Sequence, residues 1–353
     1  MNMKIFIVFY MLCFSLLSTN NKTGSEIDDL VFENGAMPSV TKDQQGTTYM
    51  LFVRGNGLFY ATSLLHGLDF FEEKLVDSIK DVFAVAGRGP QITGTKSGLN
   101  ILAVDKSGNI YSYTKEQHND WIKQGKVNDV PDVAKEGFLS VAAKDDSLYA
   151  VWLDLRGNEK NKIVGSLSSD GGKTWQKNKI IYQSPSGSVC ECCKPSVVFG
   201  ERGITVMFRN NINNFRDLYT ITSTDGGNNF SNETKLGSGT WKLNACPMDG
   251  GGLKYNDDGN LQTVWRRVDT LYTAIPGAQE IMIGKGKNCA IENIGDQFAY
   301  TWIENGNIVC MLPGNKKINI GEGTFPFLIS TGKLDLMCVW QHNNNIYRRF
   351  ISL

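Results

Sequence analysis

The sequence predicts an all-β protein that folds as a β-propeller, and two observations lead to this prediction. An eight-residue turn segment at 168–175 recurs at 223–230, which is 55 residues further along the chain. In addition, β-rich runs separated by Gly, Asn and Asp turns continue from Pro38 to Ile351 without helical periodicity. A turn unit that recurs about every 50 residues is typical of propeller blades rather than of an isolated hairpin.

The two copies of the turn share a chemistry that explains their local structure. They read Ser-Ser-Asp-Gly-Gly-Lys-Thr-Trp and Ser-Thr-Asp-Gly-Gly-Asn-Asn-Phe, and each follows an apolar run. The Asp can cap its own turn, and the paired glycines adopt the positive φ that a tight hairpin needs. The closing aromatic is placed to pack under the next strand. The residues that carry the pattern are Ser168, Asp170, Gly172 and Trp175, then Ser223, Asp225, Gly227 and Phe230.

This S-x-D-x-G-x-x-W/F pattern resembles the Asp box of the BNR-repeat, sialidase-like propellers. The resemblance implies six four-stranded blades, with the Asp-box turns away from the functional face. Counting three-strand units along the chain gives closer to seven, so the sequence leaves the number at six or seven. A decayed third box occupies 63–70, with Leu65 where the Asp should stand.

The strand-like runs that support this count come in successive groups of three. Asp29–Phe32 is predicted to supply the missing outer strand of the last group, which would close the ring and remove an exposed sheet edge. The first four groups are 38–40, 48–54 and 58–63; 90–95, 99–105 and 109–113; 138–143, 148–153 and 162–168; and 195–199, 204–209 and 218–223. Weaker units follow around 253–274, 298–312 and 325–350.

The N-terminus predicts export. Residues 1–20 are expected to be a secretory signal peptide, because Lys4 is followed by an apolar run, Ile5–Leu17, that is too short to span a bilayer comfortably. Residues 21–353 would then form a single sialidase-like propeller domain in the periplasm, at the cell surface or in the medium. The net charge of zero indicates no nucleic-acid partner, and no later run predicts a membrane span.

Arginine is concentrated where a propeller places its functional face. In this fold the B-to-C and D-to-A connections lie on one face around the central channel, and seven of the ten arginines are assigned to them. Guanidinium groups bind carboxylates and phosphates bidentately, so this pattern predicts an anion-binding channel mouth. The candidate ligand-binding arginines are Arg54, Arg88, Arg156, Arg209, Arg266 and Arg267.

The resemblance to sialidases implies a sialic acid or related acidic glycan as the ligand. In that family three arginines bind the carboxylate, a Tyr/Glu pair provides the nucleophile and an Asp is the acid/base. Arg209 and either Arg266 or Arg267 match two of the arginine positions. Tyr347, in the final unit, and Asp154, at a strand end, are the candidate catalytic residues.

The family pattern is incomplete in this chain. Ala36-Met37-Pro38 stands where the family has Arg-Ile-Pro, and the loop Arg54-Gly55-Asn56-Gly57 has no carboxylate for the acid/base role. Hydrolysis of a glycoside requires two placed groups. Two functions therefore stay open, namely hydrolysis of an acidic glycan and binding of a glycan without catalysis.

A cluster of cysteines suggests a third possibility. Cys190, Cys192, Cys193 and Cys246 open adjacent inner strands and are expected to meet near the channel mouth. Export favours two disulfides that link neighbouring blades. The alternative is a soft-metal site for Cu or Zn, with Met248 as a further ligand, which would indicate a metal-binding or redox protein. No other cofactor is expected.

Overall fold

The computed structural model describes residues 29–64, 66–116 and 119–353, and these form a propeller of seven four-stranded antiparallel blades. The sequence left the number at six or seven, and the structure decides for seven. One 3-10 turn, Pro313–Asn315, is the only helical element of the described residues, and no helix among them could cross a membrane. The predicted signal peptide at 1–20 and Leu65 lie outside the described residues.

The first four blades follow each other along the chain, and in each the strands run outward from the channel in the order A, B, C, D. Blade 1 contains β2 (Ala36–Lys42), β3 (Thr48–Arg54), β4 (Gly57–Ser63) and β5 (Lys74–Ser78). Blade 2 contains β6 (Gln91–Gly94), β7 (Gly98–Val104), β8 (Ile110–Glu116) and β9 (Ile122–Lys126). Blade 3 contains β10 (Leu139–Lys144), β11 (Ser147–Asp154), β12 (Lys162–Ser168) and β13 (Lys179–Tyr182). Blade 4 contains β14 (Ser196–Gly200), β15 (Gly203–Arg209), β16 (Leu218–Ser223) and β17 (Thr234–Lys235).

The last three blades complete the ring. Blade 5 contains β18 (Gly252–Tyr255), β19 (Leu261–Arg267), β20 (Thr270–Ala274) and β21 (Ile281–Lys285). Blade 6 contains β22 (Lys287–Ile294), β23 (Gln297–Glu304), β24 (Asn307–Leu312) and β25 (Lys316–Glu322). Blade 7 contains β26 (Thr324–Ser330), β27 (Asp335–His342) and β28 (Asn345–Ser352), and its outer strand is β1 (Asp29–Phe32). β1 pairs antiparallel with β28, with Leu30 opposite Tyr347. The predicted closure of the ring by the N-terminal strand is confirmed.

The hydrophobic core lies between the blades. Seven clusters of buried side chains fill the seven spaces between adjacent sheets, because each strand alternates its side chains between the two faces of its own sheet. Trp152, Trp265, Trp302 and Trp340 are buried in this layer. The seven A strands contact each other in a ring around the central channel.

The two complete turn motifs have the expected geometry. The Ser168 hydroxyl donates to Asp170 Oδ1 at 2.8 Å and accepts the Gly172 N–H at 2.9 Å, and Ser223 makes the same two bonds at the same distances in the second copy. Each turn connects strand C to strand D. The D-to-A connections lie on the face of the channel mouth. Both copies of the turn therefore lie on the opposite face.

The remaining positions of the turn fix it against its neighbours. Gly172 and Gly227 have φ of 92° and 85°, and an added Cβ would lie 2.1 Å from Asn100 and 2.2 Å from Tyr149. Trp175 and Phe230 pack against the clusters between blades. The decayed copy keeps the same serine bond, because the Gly67 N–H donates to Ser63 Oγ at 2.9 Å.

Candidate functional site: the channel mouth

The central channel encloses a cavity of about 510 Å³ that is lined by residues of all seven A strands and the loops before them. Its lining combines apolar and polar side chains in similar amounts, and the charged ones include Lys194, Lys254 and Glu292. This volume is typical of sites for small ligands. We call the end of the cavity at which the A strands begin the channel mouth, and it is bordered by Met37, Gln91, Phe138, Lys194, Met248, Asn288 and Phe325.

Lys194 is the cation that lines the channel mouth. It precedes Pro195 and β14, and its ammonium donates to Gln91 Oε1 of blade 2 at 3.2 Å. The Gln91 amide is oriented by its own donation to the Pro90 carbonyl at 3.0 Å. Burial lowers the pKa of Lys194 to about 8. In the described part of the chain no carboxylate forms an ion pair with this ammonium, so a positive charge faces the cavity with one neutral partner.

The backbone at the mouth is held in an unusual conformation. Met37, Ala86, Met248, Asn288 and Phe325 all precede or open an A strand, and all have left-handed φ between 52° and 56°. All five line the cavity. Such φ values are uncommon for residues other than glycine, and they concentrate at ligand sites where surrounding structure fixes them. Bulges in β2, β22 and β26 accompany three of them and direct these side chains toward the mouth.

Arg88 supplies a second cation beside the mouth. Its Nε donates to the Glu136 carbonyl at 2.7 Å, and its guanidinium lies 4.1 Å from the centre of the Phe138 ring. Burial raises the pKa of the Glu136 carboxyl, which opposes its ionisation, although Asn161 and the Arg88 charge act in the other direction. Of the six predicted ligand-binding arginines, Arg88 is adjacent to the cavity lining and makes no ion pair within 4.0 Å among the described residues.

Arg209 is a structural residue in this fold. It is 1% exposed, and its guanidinium donates to the carbonyls of Asp249, Arg216 and Arg266 at 2.6–3.1 Å. These bonds join the loop before β18 to the ends of two B strands. The predicted role of Arg209 in ligand binding has no support in this geometry, since its donors are directed at backbone oxygens.

Arg266 is neither as available as Arg88 nor as fully bonded as Arg209. Its guanidinium packs over Trp241 at 5.2 Å and is 3.7 Å from Asp249 Oδ2, while its buried Nε has no hydrogen-bond partner in the described part of the chain. Burial raises the pKa of Asp249, and the charges of Arg209 and Arg266 oppose that effect. The Asn288 N–H also donates to this carboxylate at 2.8 Å. Asp249 also lines the cavity, so it places a carboxylate beside the mouth that offsets part of the charge of Arg209 and Arg266.

The other three predicted arginines are paired with carboxylates. Arg54 contacts Glu73 at 2.7 Å, and Arg267 forms two bonds of 2.7 Å with Glu280. Arg156 binds both oxygens of Asp154 at 2.8 and 2.9 Å and contacts Asp129 at 3.0 Å. These pairs occupy the bidentate faces that a ligand carboxylate would need. The sequence analysis did not anticipate these pairings, although Asp154 stands only two positions before Arg156, and Glu73 and Glu280 lie 19 and 13 positions from their arginines.

The predicted catalytic pair is not assembled. Asp154 ends β11 with no exposed surface, and its carboxylate accepts from Trp152 Nε1 at 2.8 Å as well as from Arg156. Tyr347 lies in the middle of β28, which is the third strand from the channel, and its ring stacks on Trp340 with centroids 5.8 Å apart. These two residues belong to blades 3 and 7, so the structure supports no joint role for them in glycoside hydrolysis.

Three of the four clustered cysteines come together. The Sγ of Cys190 lies 3.7 Å from that of Cys192 and 3.5 Å from that of Cys193, and all three side chains are buried. Hydrogen bonding with Cys192 and Cys193, together with the Arg209 and Arg216 charges, lowers the pKa of Cys190. Burial raises the pKa of Cys193.

Cys246 does not join this cluster. It is an exposed free thiol in the long loop before β18, and the structure forms neither of the predicted disulfides among the described cysteines. The loops before β14 and β18 belong to adjacent blades, but Cys246 is exposed on the second loop and does not reach the cysteines of the first. Met248 is 42% exposed at the mouth.

Sequence reasoning missed Lys194, Gln91 and Asn288. The signal for Lys194 was present, because it stands immediately before the proline that precedes an inner strand. Its contact with Gln91 joins residues 103 positions apart, and no local pattern predicts such a pairing. Asn288 is placed by a bulge in β22 that the sequence does not mark.

Comparison with known proteins identifies the fold. No protein-family model matches the chain, and no curated protein matches it. Among solved structures, the BP39L lectin of Burkholderia pseudomallei superimposes with a TM-score of 0.67 at 7% identity, over 91% of this chain and 97% of the lectin. The virginiamycin B lyase of Staphylococcus aureus gives 0.58 at 12% identity, over 93% and 98% of the two chains. An ulvan lyase of polysaccharide lyase family PL25 gives 0.59 at 10% identity, over 92% and 96%. At these identities the likeness concerns the propeller fold.

Proposed function

We propose that this protein is a glycan-binding propeller that recognises an acidic sugar at the channel mouth without hydrolysing it. The observation that carries the proposal is the Lys194 ammonium, which lines a cavity of about 510 Å³ with Gln91 Oε1 as its partner and without an ion pair. A ligand carboxylate would supply the missing negative charge. Charge-assisted hydrogen bonds of this kind are about twice as strong as neutral ones.

The rest of the mouth suits a sugar ring. Phe138 and Phe325 present aromatic surface to the cavity, and Met37 and Met248 add apolar surface on which the C–H face of a sugar can pack. The Asn288 and Gln91 amides offer donors and acceptors for hydroxyl groups. Arg88 adds positive charge beside Phe138. The propeller lectin and the polysaccharide lyase among the structural neighbours are consistent with a carbohydrate ligand.

Binding without hydrolysis follows from the positions of the catalytic candidates. Asp154 is fully buried and bonded to Arg156, and Tyr347 lies on a strand that does not border the channel. We infer export of the protein from the sequence of residues 1–20, which agrees with a role in recognising external glycans.

Calorimetric titration with glucuronate and with glucose tests this proposal, because the two sugars differ in the carboxylate. We expect glucuronate to bind at least tenfold more tightly than glucose, and Lys194→Met to remove most of that difference while preserving apolar packing. Lys254→Met is the matched control, since Lys254 lies toward the other end of the cavity and is paired with Glu292 at 2.7 Å. Equal binding of both sugars, or an unchanged preference in Lys194→Met, would contradict the proposal. Release of the fluorophore from a fluorogenic sialoside would show hydrolysis and would contradict that part of the proposal.

A further inference from the structure

The loop before β14 brings three sulfur atoms to one point. Cys190, Cys192 and Cys193 belong to one four-residue segment, and their Sγ atoms all lie within 4.8 Å of one another. Their exposed fractions are 0%, 4% and 2%. A segment that turns three side chains inward to the same spot forms a preorganised set of ligands rather than three independent core residues.

The sulfur separations fit a shared metal ion better than a disulfide. The Sγ distances from Cys190 are 3.5 and 3.7 Å. A disulfide bond is about 2.05 Å long. Three sulfurs that each lie about 2.3 Å from one ion are separated by roughly 3.8–4.0 Å. The two separations from Cys190 would therefore need to grow by only a few tenths of an ångström to accommodate an ion, and the third separation is no longer than 4.8 Å.

Positive charge surrounds the cluster. Arg216 Nη1 donates to Cys190 Sγ at 3.2 Å and also contacts Glu191 at 3.1 Å. Arg209 is buried close by, and within the described ranges it makes no ion pair with a carboxylate. Buried cations need nearby negative charge, and thiolates at this cluster would provide it.

We propose that Cys190, Cys192 and Cys193 bind one Cu(I) ion as a three-coordinate thiolate site. Thiolates select soft ions, and a structural Zn site requires four ligands. Among the described residues no fourth Cys, His, Asp or Glu atom joins the group. Binding would form three Cu–S bonds and release one proton from each thiol to solvent, while the copper stays in the +1 state. The site adjoins the proposed glycan site, because Cys192 lines the same cavity, but its ligands are sulfur atoms that the glycan proposal does not use.

The test uses the reduced full chain, titrated with Cu(I) under anaerobic conditions against a competing Cu(I) chelator. We expect one Cu(I) per chain and a thiolate-to-copper absorption band in the ultraviolet. Alkylation is done in urea, because the three buried cluster thiols would resist the reagent in the folded apo-protein as well. Peptide mass mapping should then show Cys190, Cys192 and Cys193 modified without Cu(I) and protected with it, with Cys246 modified in both states. A parallel titration with Zn²⁺ should show much weaker binding.

Variants separate the cluster from the other thiols. Cys192→Ser should weaken Cu(I) binding by more than about 100-fold, which exceeds the usual effect of losing a residue that only supports a ligand. Cys246→Ser is the matched control and should bind as the wild type does. If Cys192→Ser does not fold, the protection map of the wild-type chain decides the question.

Three results would overturn the assignment. They are a disulfide within 190–193 in the unreduced protein, protection of Cys246 together with the cluster, and binding of Zn²⁺ in preference to Cu(I). Lys194→Met should bind Cu(I) normally, so a failure of the glycan proposal would leave this result intact.

Discussion

The two faces of the propeller are built from different kinds of contact. On the face with the two turn motifs, each turn is held by bonds within seven residues of sequence, such as Ser168 to Gly172 and Thr174 to Asp170. At the channel mouth the deciding bonds span 40 residues for Arg209 and Asp249 and 103 for Lys194 and Gln91. Local turns repeat and leave a pattern in the sequence, whereas the long-range contacts occur once each. The repeated turn motif therefore makes the fold predictable from the sequence, whereas the site depends on single long-range contacts that leave no such pattern.

The largest effect is expected from removing the long-range support of the mouth. Arg209→Met would leave the carbonyls of Asp249, Arg216 and Arg266 without their buried donor. Each orphaned carbonyl costs about 1–3 kcal/mol, so we expect the free energy of unfolding to fall by at least about 3 kcal/mol. Equilibrium unfolding in urea measures this change.

Arg54→Met is the control for that experiment. Arg54 forms a partly exposed ion pair with Glu73, and the loss should be about 1 kcal/mol or less. Equal losses in the two variants would show that Arg209 has no special structural role. That result would favour the original prediction that Arg209 binds the ligand.

A smaller effect is expected on the turn face. Gly172→Ala combines a φ of 92° with a Cβ that would lie 2.1 Å from Asn100, and we expect a loss of about 2–4 kcal/mol. Gly226→Ala has a φ of 73° but open space around the added Cβ, and should cost about 1 kcal/mol. The difference between the two urea midpoints isolates the packing of the turn against blade 2. No difference would mean that only backbone strain matters there.

The smallest effect concerns acid. Hydrogen bonds from the backbone and side chain of Asn229, then from Ser223, lower the pKa of Asp225 to about 2. Burial raises the pKa of Asp170, but bonds from Thr174 and Ser168 outweigh it and lower the net value below 3.8. A lowered pKa in the folded state contributes stability that is present above pH 3.8 and is lost as the pH falls toward 2. Asp170→Asn with Asp225→Asn should therefore flatten the fall of Tm between pH 5 and 2.

Asp258→Asn is the matched variant for the acid experiment, because Asp258 is an exposed carboxylate outside these turns. It should leave the slope of Tm against pH unchanged. A slope that is the same in the double variant and in the wild type would contradict the role given to the two turn carboxylates.

The fold could be predicted from the sequence because its determinants are local and repeated. The turn motif and the strand spacing follow from patterns within a single blade, and the closure by Asp29–Phe32 follows from the missing outer strand of the last unit. The count of three-strand units pointed closer to the seven blades of the structure, whereas the resemblance implied six. Blades 5 to 7 have no turn motif of this kind, so their strands could be placed only approximately.

The site could be predicted only in its location. The D-to-A connections do border the cavity, and Arg88, Met248 and the cysteine segment lie there as expected. The side chains that remain available at the mouth depend on partners from distant segments. Glu280 pairs with Arg267 from 13 positions away and Asp154 pairs with Arg156 from two positions away, but the sequence alone does not show that either pair forms in the fold.

The most direct test of the account is a crystal structure of the protein soaked with glucuronate. The central claim is that the ligand binds in the channel mouth and that its carboxylate contacts Lys194. The account predicts a sugar in the cavity, with a carboxylate oxygen within about 3 Å of Lys194 Nζ and the ring packed beside Phe138 or Phe325. A sugar bound between blades on the outer surface, or a carboxylate held by Arg266 and Arg267 instead, would contradict it.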